Sequence, residues 1–283
     1  MAVFNNFATL SYNGGTTNSN TVTGEILDTL SSTKIAVMDD YTAKDDATYV
    51  ISLVNSSTAP LTDVTITDDL GGYLYGTTTV YPLAYTQGSV RLYINGVLQP
   101  APAVTAGPPL VFSGISIPAG GNALVIYEAG ITAYAPLAAQ DTITNTAVIT
   151  AAGLSSPVTV TAVIGTEDRA DLTISKAVCP NVIADNEPLT YTFVIENHGN
   201  TPAVATDNVV LTDTFDPILD PITVSLNGTI LTEGTGYTYD RTTGLFTTLA
   251  GQITVPAATY TQAADGTWIV TPGTAVLTVT GTV

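Results

Sequence analysis

Lysine, aspartate and asparagine are the residues in this sequence whose placement suggests chemistry, because each falls on an apolar strand face. Alternation puts Leu172, Ile174, Lys176 and Val178 on one side of a strand. The same period groups Val64 and Ile66 with Asp68, and Val209 and Leu211 with Asp213. It also groups Asn145 with Ala147 and Ile149, Asn6 with Ala8 and Leu10, and Lys34 with Ala36 and Met38. Two of the three lysines in the chain are therefore directed into cores. A buried ion is costly unless it is paired or neutralised. Two arrangements meet that demand, and the residues leave both open. One is a Lys–Asp ion pair with Asn as a hydrogen-bond partner. The other is an autocatalytic isopeptide bond: burial disfavours both charges, the carboxylate takes the ammonium proton, and the neutral amine attacks the Asn side-chain carbonyl. The protonated Asp then serves the departing ammonia as a general acid, and proximity in a dry core supplies most of the rate. If the bond forms, Lys34 joins Asn145 within one molecule, promoted by Asp68. Lys176, promoted by Asp213, joins Asn6 of a second molecule.

These residues are positioned by an internal repeat. Tyr49 follows Lys34 by 15 positions and Tyr191 follows Lys176 by 15; Asn55 and Asn197 each follow 6 later. "VTITD" (Val64 to Asp68) matches "VVLTD" (Val209 to Asp213), with three residues inserted in the second copy. "SVRLYINGVL" matches "ITVSLNGTIL", each with an Asn-Gly pair suited to a two-residue hairpin turn. "GISIPAG" matches "GQITVPA", and "ALVIYEAGI" matches "AVLTVTGTV". Short Thr/Val/Ile runs divided by Gly, Pro, Asn and Asp, with no sustained helical period, predict an all-β protein. The expected architecture is two tandem immunoglobulin-like β-sandwich domains, 27–166 and 167–283, preceded by an N-terminal donor β-hairpin, 1–26.

The hairpin follows from a second match. "NNFATLSYNGGTTNSNTVTGEI" (Asn5 to Ile26) resembles "TNTAVITAAGLSSPVTVTAVI" (Thr144 to Ile164) in its Asn, its Ala, its alternating apolar positions and its polar turn. The first unit continues into that hairpin, whereas the second has no counterpart before Val283. The segment 27–33 spans at most about 25 Å, too short to carry the first hairpin along a whole sandwich to its own second unit. The expectation is a head-to-tail contact in which Asn6, Phe7, Ala8, Leu10, Tyr12 and Val22 enter the second unit of a neighbouring copy. Ala8 and Leu10 packed on their own second unit, or left dangling in solvent, would collapse the polymer model.

Composition narrows the partners. With 24 acidic and 6 basic residues the net charge is −18, leaving no basic stripe for nucleic acid or anionic lipid. The acidic pairs Asp39/Asp40, Asp45/Asp46 and Glu167/Asp168 lie outside any Ca²⁺-loop motif, so no metal and no cofactor is expected. The single cysteine, Cys179, cannot form an internal disulfide and is expected to pack as a small apolar residue near a strand end. His198, in "ENHGN", reads as a surface turn residue. No nucleophile elbow or phosphate loop is present, and an enzyme is not expected. The tyrosines at 73, 75, 81 and 85 suggest a second reading, a carbohydrate- or protein-binding adhesin module.

The run "ADLTISKAVCPNVIADNEPLTYTFVIENHGNTPA…NVVLTDTF", with "ITNTAVIT" later in the repeat, resembles the conserved repeat of surface β-sandwich proteins of Gram-positive bacteria, a duplicated domain of unknown function. A two-copy chain with no basic n-region or apolar h-region at its start is similar to the structural subunits of endospore appendages in spore-forming anaerobes. The resemblance implies a spore-surface fibre assembled in the mother-cell cytoplasm and released by lysis. Its partners would be copies of itself and other appendage subunits.

Overall fold

Period-two burial runs through the strands. In Asp46–Asn55 the inward side chains are Ala47, Tyr49, Ile51, Leu53 and Asn55, all buried, while the intervening positions are more open. The computed structural model describes residues 2–26, 29–184 and 186–283 and is all-β, with one short 3₁₀ turn at Ala205–Asp207 among the described residues. Its contacts divide it into two units, Met1–Ala135 with Thr142–Ile164, and Pro136–Asp141 with Gly165–Val283.

The first unit is a sandwich of two antiparallel sheets. One runs in the order Val97–Gln99, Arg91–Ile94, Asn122–Ile131, Asp46–Asn55, Leu30–Ala36, so the Lys34 strand is an edge. The other runs Ala103–Thr105, Leu110–Ile117, Leu61–Asp68, Thr142–Ala152, Val158–Thr166, Asp40–Tyr41. The Asp68 strand therefore has a neighbour on each side, and one of these is the Asn145 strand, which places Ala147 opposite Asp68 and Ile149 opposite Ile66.

The second unit repeats the first sheet and keeps part of the second. Its five-stranded sheet runs Leu172–Cys179, Pro188–Asn197, Gly273–Thr282, Ile222–Leu226, Thr229–Leu231, with the Lys176 strand at the edge. Its smaller sheet has three strands, Thr212–Thr214, Leu245–Thr248 and Tyr237–Asp240. Two strands suggested by the repeat are shortened. The segment matching Val64 to Asp68 is strand only at Thr212–Thr214, and the stretch Gly251 to Ala257 contributes a single bridge, Ala203 to Val255. In the first unit the corresponding strand is fixed by ladders on both sides; here it has a ladder on one side only.

Local turn chemistry accounts for the rest of the repeat. Asn95-Gly96 and Asn227-Gly228 all have positive φ, 50°, 78°, 49° and 80°, as a tight two-residue hairpin turn requires. Asn55 and Asn197 are fully buried and tie loops together through their amides. Asn55 donates to the carbonyls of Ala59 and Pro118, and Asn197 to those of Thr201 and Pro256.

The N-terminal segment pairs Ala2–Asn6 with Val22–Ile26 and Thr9–Tyr12 with Gly15–Asn18. Two residues on one arm face three on the other between these ladders, and Ser19 closes the gap by donating its N–H to the Ala8 carbonyl. Among the described residues these strands pair only with each other.

Candidate functional site

The first unit brings Lys34, Asp68 and Asn145 into one buried cluster. Lys34 reaches from the edge of one sheet to the Asp68 strand of the other, its Nζ donating to Asp68 Oδ2 at 2.7 Å with both side chains fully buried. Asp68 Oδ1 accepts the Leu70 N–H at 3.0 Å. Next to it, Asp69 ties the two strands together: its carboxylate accepts the Thr146 N–H, and its own N–H donates to the Thr146 carbonyl. That clamp sets Asn145 beside the pair.

Asp68 does not hydrogen-bond Asn145. The Tyr127 hydroxyl stands between them, donating to Asp68 Oδ2 at 2.5 Å and accepting from Asn145 Nδ2 at 3.1 Å. Tyr127 stacks on Tyr49 and packs against Phe112, with ring centroids 5.4 and 5.3 Å apart. The Lys34 ammonium lies 5.1 Å from the Tyr49 ring centre. Asn145 Oδ1 and the Tyr49 hydroxyl are both buried without a hydrogen-bond partner. Sequence reasoning missed the two tyrosines. The available signal was a pair of phenols on otherwise apolar faces, since a buried Tyr hydroxyl calls for a polar partner.

Burial pushes the Lys34 ammonium below its ordinary value of 10.5, against the opposing pull of Asp68 and Asp69. Burial also pushes Tyr127 and Tyr49 upward, and Asp68 adds to both shifts. The core thus loosens the lysine proton and tightens the two phenol protons. A measurable pH dependence follows for Asn145→Ala, in which Lys34 is a free amine whether or not the parent forms the expected bond. The folded chain releases the lysine proton at lower pH than the unfolded chain, so the unfolded chain binds more protons and stability climbs as pH rises toward 10. Beyond about 10 the sign reverses, because the two phenols ionise only in the unfolded chain. Denaturant titrations across this range should show a rise and then a fall; adding Lys34→Met should remove the rise and keep the fall.

The second unit holds two members of the triad and no third. Lys176 Nζ donates to Asp213 Oδ2, and the ammonium lies over the Tyr191 ring, 4.4 Å from its centre. Tyr191 stacks on Phe215 at 5.0 Å. The pair is open, with the Lys176 side chain 40% exposed against 0% for Lys34. The sequence reading placed Lys176 in a core, and here it is not buried. The strand is uncovered from Thr173 to Cys179: Ile174 is 58% exposed and Val178 39%. Cys179, expected to pack as a small apolar residue, is instead exposed, at the end of the same edge strand and on its other face. Thr212–Thr214 pairs with Leu245–Thr248 on one side only, and among the described residues no strand takes the place that Thr142–Ala152 holds in the first unit.

Asn6 is apart from both clusters. Every described side chain from Asn5 to Thr23 is exposed, including Phe7, Ala8, Tyr12 and Val22, with Leu10 at 64%. Of the two placements set against a polymer, the chain shows the bare one, which is also how a donor hairpin stands in a single copy that has met no acceptor.

No protein-family model matches the sequence, and neither does any curated protein. The motif resemblance to the conserved surface repeat therefore stands on its quoted residues alone. Among solved structures the chain is similar to BcpA, the major pilin subunit of Bacillus cereus, at 11% identity and TM-score 0.38, covering 96% of this chain and 73% of that one. It is similar to the pilus backbone RrgB from Streptococcus pneumoniae at 13% identity and TM-score 0.35, covering 86% of this chain and 55% of that one. A third is the collagen-binding subdomain of the Enterococcus faecalis surface protein ACE, at 10% identity and TM-score 0.33, covering 50% of this chain and all of that one. The functional reading rests on the triads and strand edges, independently of these likenesses.

The remaining sequence candidates are occupied elsewhere. Tyr73 donates its hydroxyl to the Tyr134 carbonyl, and Tyr85 packs edge-on against Phe112. His198 is an exposed turn residue beside Glu196. Among the described residues no group of three or more His, Cys, Asp or Glu side chains is gathered for a metal ion.

Proposed function

We propose that this chain is the structural subunit of a spore-surface or extracellular fibre, growing head to tail as the N-terminal hairpin of one copy enters the second unit of the next. One observation carries the reading: the Lys176 face is uncovered and the Asp213 strand is half-paired, whereas in the first unit Lys34 is buried and the Asn145 strand pairs with the Asp68 strand. The N-terminal hairpin has the matching sequence pattern, and among the described residues its strands pair only with each other.

The register carries over from the first unit. Ala147 lies opposite Asp68 and Ile149 opposite Ile66, so Ala8 should lie opposite Asp213 and Leu10 opposite Leu211. Asn6 then enters beside Lys176 and Asp213, as Asn145 does beside Lys34 and Asp68. Tyr12, two positions beyond Leu10, shares the inward face. Phe7 corresponds to Thr146, outside the fully buried set of that strand, and so belongs to the outer face. Incoming strand and hairpin would complete the smaller sheet, close the open ladder and cover Ile174 and Val178.

Within this fibre the Lys34–Asn145 bond staples the two sheets of each first unit, and the Lys176–Asn6 bond makes the chain of subunits covalent. The contact is heterologous and does not close on itself, which gives a filament rather than a ring. The test is electron microscopy of the purified protein together with boiling in detergent. Filaments that give a ladder of covalent multimers are expected, with a cross-linked peptide joining Asn6 to Lys176. Lys176→Ala should leave monomers after boiling. Preparations that stay monomeric at every concentration would overturn the polymer.

A further inference from the structure

We infer that the Tyr127 hydroxyl is the proton shuttle of the intramolecular cross-link, carrying a proton between Asp68 and the amide nitrogen that leaves Asn145. The inference rests on the reading of Lys34 and Asn145 as bond partners, and it replaces direct acid catalysis by the aspartate. Asp68 offers one oxygen for the reaction, Oδ2, because the Leu70 N–H holds Oδ1. Lys34 Nζ and the Tyr127 hydroxyl meet on that Oδ2 at 2.7 and 2.5 Å, and Asn145 Nδ2 contacts the phenol oxygen at 3.1 Å. The reacting groups form a line: amine, carboxylate, phenol, carboxamide nitrogen.

The step balances without any outside reagent. Lys34 passes one ammonium proton to Asp68 Oδ2, and its neutral Nζ then bonds to Asn145 Cγ. Tyr127 gives its own proton to Nδ2 and takes the one held by Asp68, and the Cγ–Nδ2 bond breaks as ammonia leaves. The surplus proton on the new amide nitrogen returns to Asp68. Burial keeps the phenol protonated and ready to donate throughout.

The two units differ at this point. Tyr127 lies directly opposite Tyr49 in its ladder, and the residue opposite Tyr191 is Val279. The second unit has no phenol in that place, so Asp213 must act on an incoming Asn6 directly. The shuttle is thus a property of the intramolecular bond only, and that bond should form faster than the intermolecular one.

Tyr127→Phe removes one oxygen and keeps the ring packing. Chains pulse-labelled during cell-free translation would be followed by intact mass for the loss of ammonia and by peptide mapping for each bond. The expected result is a Lys34–Asn145 bond forming roughly 100-fold more slowly in Tyr127→Phe, the scale of a lost acid–base group, with the Lys176–Asn6 bond unchanged. Equal rates in variant and parent, or equal slowing of both bonds, would overturn the shuttle. A parent chain that never forms the Lys34–Asn145 bond sinks the cross-link reading itself, an outcome distinct from the other two. A measurement on the unaltered chain guards against a variant that fails to fold. Its rate plotted against deuterium fraction should curve, because more than one proton moves in the step, and a straight line would count against Tyr127.

Discussion

Chains lacking residues 1–26 are expected to remain monomeric under conditions where the full chain forms filaments. The truncation removes the donor and leaves the acceptor, so the open edge at Thr212–Thr214 and the uncovered Lys176 strand persist. In a head-to-tail fibre such chains would still receive a hairpin from a neighbour and then offer none onward. Added in small amounts to the full-length protein, they should shorten filaments in proportion to their share, which a merely destabilised chain would not do. A point change makes the same case without truncation. Leu10→Asp places a charge opposite Leu211, which is already buried. An unpaired buried charge costs about 3–5 kcal/mol, equivalent to a loss of roughly 100- to 1000-fold or more in subunit affinity. Length distributions by microscopy and mass distributions by light scattering read both effects. Filaments of normal length from Leu10→Asp would contradict the assigned register.

Asn145→Ala is expected to retain its full ammonia content at the first unit and to lose a large part of that unit's stability. Lys34 and Asn145 lie on different sheets, and a bond between them closes a loop of roughly 110 residues; by the chain-entropy estimate for a cross-link of that span it is worth about 4–5 kcal/mol. For a unit of this size that corresponds to a fall in Tm of about 10–20 °C. Asn145→Ala exchanges the bond for the Lys34–Asp68 ion pair, so the difference reads the bond against that pairing. Removing Asp68 in the same background then strands the buried lysine and should cost about 3–5 kcal/mol more. Calorimetry of the two variants beside intact-mass measurement separates the contributions. An unchanged Tm in Asn145→Ala, with no ammonia lost by the parent, would leave the triad as an ion pair with an amide neighbour.

Both expectations meet at the Lys strands. The first unit buries its lysine fully, and the second leaves the equivalent lysine 40% exposed. In a head-to-tail fibre each subunit would carry one finished clamp and one that is completed only by assembly. Pulling force would then run through covalent bonds at both places instead of through sheet hydrogen bonds alone.

Much of this was legible in the residues. A period of two needs no tertiary information, and it identified the core faces of the first unit together with the Lys, Asp and Asn they carry. The equal spacing from lysine to tyrosine to asparagine in both halves gave the duplication, and two Asn-Gly pairs gave matching hairpins. Alternation states which side of a strand a residue takes, but not whether anything covers that side. Lys176 has the pattern of a core residue and stands 40% exposed, and among the described residues no strand takes the place that Thr142–Ala152 holds in the first unit. Nor does sequence order show what stands between two groups meeting across a sandwich. Tyr127 is 18 residues from Asn145 and 59 from Asp68, and only the packing of one sheet on the other brings its hydroxyl between them. The sequence alone determined which side chains face inward, because that follows from local backbone geometry. The tertiary structure decided which of them touch and which lie bare, because that depends on neighbours distant in the chain.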